Sequence, residues 1–251
     1  MAKGTVKRRL QRACETLMLA AVAVVVCVFA AFAVEKHGAE PLPTAETPAE
    51  EAVETAQSEW CVVIDAGHGG RDGGAVGTES GIAEAPLNLS VAKLVKERLE
   101  GEGIRAVMTR TDENALGENK NADMRARKAI MNAPGVDAVV SIHMNRFRDP
   151  TVKGPMAFYM QGSTGGQALA ELVIDNVTEA VGATARDANP GDYYIVRESE
   201  APAVIVECGF LSNAQEEALL QTAQYQSLLA EGIAKGIVAY LTQGGGAQEA
   251  K

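Results

Sequence analysis

Apolar residues follow three regimes along the chain. Residues 17–34, LMLAAVAVVVCVFAAFAV, are apolar almost without interruption and carry no charge. Residues 35–59, EKHGAEPLPTAETPAEEAVETAQSE, hold almost no large apolar side chain. From Trp60 onward, short β-branched runs alternate with helical stripes. Cys61 to Ile64 reads as a buried strand, stopped by Asp65 and a glycine-rich loop that carries His68. Behind Pro86, which suits a first helical turn, Leu87, Val91, Leu94, Val95 and Leu99 recur at helical spacing down to Gly101. The pattern then predicts a strand over 104–110, a helix over 122–133, strands over 137–142 and 156–160, and a helix over 166–181. A short strand over 193–196, an apolar strand over 203–206, a helix over 225–241 and a frayed end over 242–251 complete it. Strands alternating with helices predict an α/β, three-layer fold: a mostly parallel twisted sheet of about six strands with helices on both faces, preceded by one N-terminal transmembrane helix.

The first regime reads as membrane targeting. Lys3, Lys7, Arg8, Arg9 and Arg12 precede the 18-residue apolar run, which is longer than a signal-peptide core and close to a bilayer span. An uncleaved anchor over 17–34 is favoured, with residues 1–16 cytoplasmic and the remainder exported by the positive-inside rule. Ala31-Phe32-Ala33 also offers a cleavage site, and cutting after Ala33 would secrete the domain. The acidic second regime cannot bury enough surface to fold and reads as a self-repelling tether. This divides the chain into a basic segment (1–16), an anchor (17–34), a linker (35–59), a catalytic domain (60–242) and a tail (243–251).

Charge narrows the class of partner. With 33 acidic against 23 basic residues and a net charge of −10, the chain offers no cationic surface for nucleic acid. The four cysteines, Cys14, Cys27, Cys61 and Cys208, show neither metal-pair spacing nor the density of a disulfide scaffold, and read as small buried residues.

His68, His143 and Glu207 come from distant parts of the chain, yet each stands at or just beyond the carboxyl end of a predicted strand, where open α/β sheets bind ligands. Glu84, just ahead of the Pro86 helix, is a fourth candidate, and Glu79 competes with it. Two imidazoles and a carboxylate are the ligand set of a catalytic zinc, with a further carboxylate as general base. The glycine loop lacks the G-K-[ST] ending of a phosphate cradle. Cys208 neighbours Glu207 on a strand, so the two face opposite sides and Cys208 belongs to the core. Asp65 and Asn145 are candidates to orient the ligands, by adjacency alone.

The ordered segments VVIDAGHGGRDGGAVG, GIAEAPLNLSVAKLV, VMTRTDEN, NADMRARKA, VVSIHMN and VIVECGFLSN resemble the zinc-dependent N-acetylmuramoyl-L-alanine amidases of type 3, over roughly Cys61 to Leu241. The resemblance implies one zinc ion held by His68, Glu84 and His143, with Glu207 catalytic, and so selects Glu84 over Glu79. Met144 and Cys208 stand where the family commonly has alanine and a small residue. The span from Arg146 to Met160 leaves no room for the inhibitory helical insertion of larger members. The membrane-anchored, germination-specific form that prepares spore cortex is nearest in wording. The implied substrate is peptidoglycan, and the implied assembly a monomer with a lipoprotein as candidate partner. A different zinc hydrolase such as a peptidase, and a catalytically silent wall-binding protein, are the competing classes. A silent relative would lack at least one of the four chemical positions.

Overall fold

The computed structural model describes residues 60–184 and 186–245. The expected cytoplasmic segment, anchor and linker (1–59) and residues 246–251 of the expected tail lie outside the described residues. Among the described residues, no helix is long and apolar enough to cross a membrane.

Six strands form one sheet in the order β2-β1-β3-β6-β4-β5. They are β1 (Cys61–Ala66), β2 (Arg105–Met108), β3 (Ala138–Asn145), β4 (Met156–Tyr159), β5 (Asn189–Pro190) and β6 (Ala203–Phe210). The pairs β1/β2, β1/β3, β3/β6 and β4/β5 are parallel, while β4 runs antiparallel to β6, so the sheet is mixed. The helices are α1 (Glu84–Gly101), α2 (Lys120–Met131), α3 (Thr164–Val181), α4 (Tyr194–Glu198), α5 (Ala214–Leu220) and α6 (Ala223–Tyr240), followed by a wide turn at Leu241–Gly245.

Strand alternation sorts the two faces. Val62, Ile64, Val140, Ile142, Met144, Val206 and Cys208 face the larger core, against α1, α3 and α6. Val63, Val139, Ala203 and Ile205 face a smaller one, against Met131 of α2 and Ile195 and Val196 of α4. Each fully buried aliphatic side chain of this kind contributes about 1.5–3 kcal/mol. The central strands are covered on both sides, which explains their near-continuous apolar sequence.

Several expectations shift. Residues 193–196 are not a strand: Tyr194–Glu198 is helical, and it is Asn189–Pro190 that pairs with β4. Docking of Ile195 and Val196 against the smaller face favours a helical turn there, and Phe158 stacks edge-on against Tyr193 at 5.2 Å between ring centroids. Helix α5, absent from the sequence reading, begins at Asn213, whose side chain accepts hydrogen bonds from Gln215 and Glu216. The helix expected over 122–133 begins earlier, capped by Asn119. His143 and Glu207 lie within β3 and β6 rather than past their ends.

Candidate active site

The carboxyl end of the sheet places the candidates one by one. β1 ends at Ala66, and the chain turns through Gly67 into His68, whose φ of 61° is left-handed. His143 and Glu207 are register partners across the parallel pair β3/β6, both on the face of Val139 and Ile205. The imidazole of His143 lies so close over Gly67 that any Cβ there would overlap it. Glu84 opens α1 and is only 3% exposed.

The three side chains meet around one carboxylate. His143 Nδ1 is 2.8 Å from Glu84 Oε1 and His68 Nε2 is 3.2 Å from Oε2, with the two rings edge to face at 4.9 Å. Backbone N–H groups of Met144 and Ala75 donate to Oε1 and Oε2, and Asn88 Nδ2 donates to Oε1 at 3.0 Å. Burial opposes ionisation of Glu84, but the hydrogen bonds and charges of His143 and His68 outweigh it and hold the carboxyl far below the usual range. For His143, burial disfavours the imidazolium, yet the bond to Glu84 and the charges of Glu207 and Glu84 raise its pKa overall. Donor atoms of His68, Glu84 and His143 all lie within 4.8 Å of one another. Two imidazoles and a carboxylate gathered this closely fit a divalent cation of borderline softness.

Glu207 stands apart from that triad. Its Oε2 is buried without a hydrogen-bond partner. Desolvation, helped by the charge of Glu84 and opposed by His143 and His68, pushes its carboxyl up to about 7. A carboxyl that changes protonation near neutrality and has an uncommitted oxygen can take up and return a proton. Cys208, next in the strand, is fully buried in the larger core, and burial pushes its thiol pKa upward, so it is not a thiolate nucleophile. Glu79 lies exposed on the loop after Thr78 and does not join the triad.

The supporting shell differs from the adjacency reading. Asp65 does not touch a candidate ligand side chain: it accepts from Thr109, Ser141 and Arg127, at 2.8, 2.5 and 2.6 Å. Arg127 in turn donates to Asp123 and to the carbonyls of Ala66 and His68. Arg110 donates to the carbonyls of Ala66, Gly67 and Ala85. Among the described residues, the Asn145 side chain accepts from the next backbone N–H, that of Arg146, and from no other group. The residues that do touch ligands are Asp72, 3.0 Å from His68 Nδ1, and Asn88. Asp72 stands four residues beyond His68, and that spacing is its only sequence signal.

Comparison with known proteins identifies the family. The sequence model of the Amidase_3 family, described as N-acetylmuramoyl-L-alanine amidase, matches residues 62–239. A germination-specific N-acetylmuramoyl-L-alanine amidase of Bacillus subtilis is 31% identical over 193 residues, covering 73% of this chain and 81% of that protein. The CwlD amidase of Clostridioides difficile, solved in complex with the GerS lipoprotein, superposes with a TM-score of 0.70 at 30% identity, over 73% of this chain and 99% of that one. An N-acetylmuramoyl-L-alanine amidase of Clostridium difficile 630 gives 0.69 at 33% identity, over 74% and 98% of the two chains. The chain belongs to the N-acetylmuramoyl-L-alanine amidase family, type 3.

Proposed function

We propose that this amidase of peptidoglycan is zinc-dependent, with His68, Glu84 and His143 holding the ion and Glu207 carrying the proton. The observation that supports this most is a buried carboxylate shared by two imidazoles, beside a second carboxylate with a free oxygen. Zinc held there would supply Lewis-acid chemistry, acidifying water and polarising the lactyl carbonyl of muramic acid. Glu84, kept ionised, balances the cation's charge and fixes the orientation of both imidazoles. Glu207 takes the proton of the attacking water at Oε2 and delivers it to the nitrogen of L-alanine. The C–N bond then breaks to the lactyl carboxylic acid and a neutral amine, a far better leaving group than an amide anion, and the acid's proton passes to the amine to leave carboxylate and ammonium. The decisive test is digestion of muropeptides by chelated and zinc-restored protein, with mass analysis. Activity lost on chelation and regained with zinc, releasing intact stem peptides, is expected; full activity in demetallated protein would sink the metal assignment.

The finer biology belongs to the same proposal. Similarity to the germination-specific amidase of Bacillus subtilis and to CwlD supports action on spore cortex and a lipoprotein partner for an otherwise monomeric chain. The basic flank and apolar run of residues 1–34 support a single-pass anchor with the catalytic domain outside the cell. Parallel digestion of vegetative and cortex glycans, with cortex favoured, checks the first point.

A further inference from the structure

Past the carboxyl end of β6, a cavity of about 520 Å³ opens between three segments: the Thr78–Glu79 turn, the loop at Pro150–Lys153 and the Ser212–Gln215 stretch entering α5. It belongs to the same rim of the sheet. Ser212 is five positions beyond Glu207, hence at most about 18 Å away along the chain, a distance that a few extended residues span. Leu211 N–H donates to the Asn145 carbonyl, and the Leu211 carbonyl accepts from Thr78 N–H, tying the cavity wall to β3 and to the turn ahead of Glu84. The walls are fixed from below by two neighbouring buried carboxylates of α5. Glu217, 1% exposed, accepts from the N–H groups of Glu79 and Ser80 and from the Ser80 hydroxyl. Glu216, 6% exposed, accepts from the N–H groups of Gly154 and Phe210. One short helix therefore holds both lips.

The chemistry of the lining is bipolar. The Lys153 ammonium and the Glu79 carboxylate both line this cavity with Thr78, Ser212 and Gln215, and among the described residues neither has a hydrogen-bond or ion-pair partner, while the Lys153 charge also acts on buried Glu216. A cavity with fixed walls, one cation and one anion without hydrogen-bonded partners suits a peptide that carries a free carboxylate and a free amine in succession.

We propose that this cavity is the subsite for the stem peptide beyond its L-alanine, with Lys153 pairing to a free carboxylate and Glu79 to the amine of a following diamino acid. The inference rests on the amidase reading of the neighbouring centre. It makes the enzyme selective for unmodified, acidic stems over stems whose carboxylate is amidated. The test uses the full zinc-loaded chain and three soluble muropeptides: one with free carboxylate and amine, one with the carboxamide, and one with the amine acetylated. The native chain should show a KM about fivefold lower for the free form than for either modified form, the scale of a partly exposed ion pair. Lys153→Met should bring the carboxylate-to-carboxamide ratio to about one, and Glu79→Gln should do the same for the amine. Both variants should keep native zinc content. Equal KM values in the native chain, a preference that survives Lys153→Met, or zinc loss in that variant overturns the subsite. Cleavage of none of the three muropeptides would overturn the amidase reading beneath it instead.

Discussion

Glu207 and Arg127 show how much a single side chain can set at this sheet end. Glu207→Gln removes the proton carrier and leaves the three candidate ligands untouched. The expected result is native zinc content with kcat reduced by roughly 10²–10⁴-fold, read by metal analysis beside muropeptide turnover. The same substitution has a signature in the metal-free protein. The folded carboxyl, at about 7, lies above its ordinary value of 4.5, so the folded state favours the protonated form. Below the lower value both states are protonated and no penalty exists. As pH rises through the window the penalty grows, reaching roughly 3 kcal/mol above pH 7. Glu207→Gln should therefore be more stable than the native chain at pH 8 and similar to it near pH 4, by urea midpoint at each pH. Arg127 is the opposite case, a buried cation committed to Asp65, Asp123 and two carbonyls of the His68 loop. Arg127→Met strands a buried carboxylate, at a cost of about 3–5 kcal/mol in denaturant unfolding. Asp72→Ala should leave stability nearly unchanged and weaken zinc binding by about tenfold or more, measured by competition with a chromogenic chelator.

At the scale of elements, register does most of the positioning. The pairing of His143 with Glu207 follows from β3 and β6 lying side by side and in parallel, and the period-two alternation puts Met144 and Cys208 on the opposite, buried face. The helix layer behind them is packed closely enough to be sensitive to one methyl group. A Cβ at Gly232 of α6 would stand 2.6 Å from the Val177 Cα of α3. Gly232→Ala should cost about 1–3 kcal/mol by forcing the two helices apart, outweighing the gain in helix propensity, and thermal unfolding would record it. Elements with long, strongly periodic patterns were legible from the chain: β1, α1, β3, α3 and α6 stand close to where alternation and helical stripes place them. The five-residue α4 and seven-residue α5 were not, because helices so short present too few apolar positions to establish a period.

At the scale of the whole molecule, residues 60–245 carry the core, the candidate ligands and the cavity, with no dependence on the acidic stretch before Trp60 evident in composition. A chain beginning near Ser58 should fold, bind zinc and cleave soluble muropeptides about as well as the full chain, and limited proteolysis should cut between 35 and 57. Insolubility or loss of activity in the truncated chain, with zinc present, would show that the stretch packs on the domain. The sequence by itself determined which chemistry is present, because two imidazoles, two carboxylates and the β-branched strands leading to three of them are local features. It also determined that Cys208 turns away from Glu207, since strand alternation needs no tertiary context. The family motifs already pointed to Glu84 over Glu79; only the tertiary structure decided that its carboxylate lies between the two imidazoles, that Asp72 and Asn88 rather than Asp65 and Asn145 touch the ligands, and that Glu207 keeps a free buried oxygen. Each of these depends on how loops cross at the end of the sheet and on the desolvation that crossing produces, which spacing along a chain does not encode.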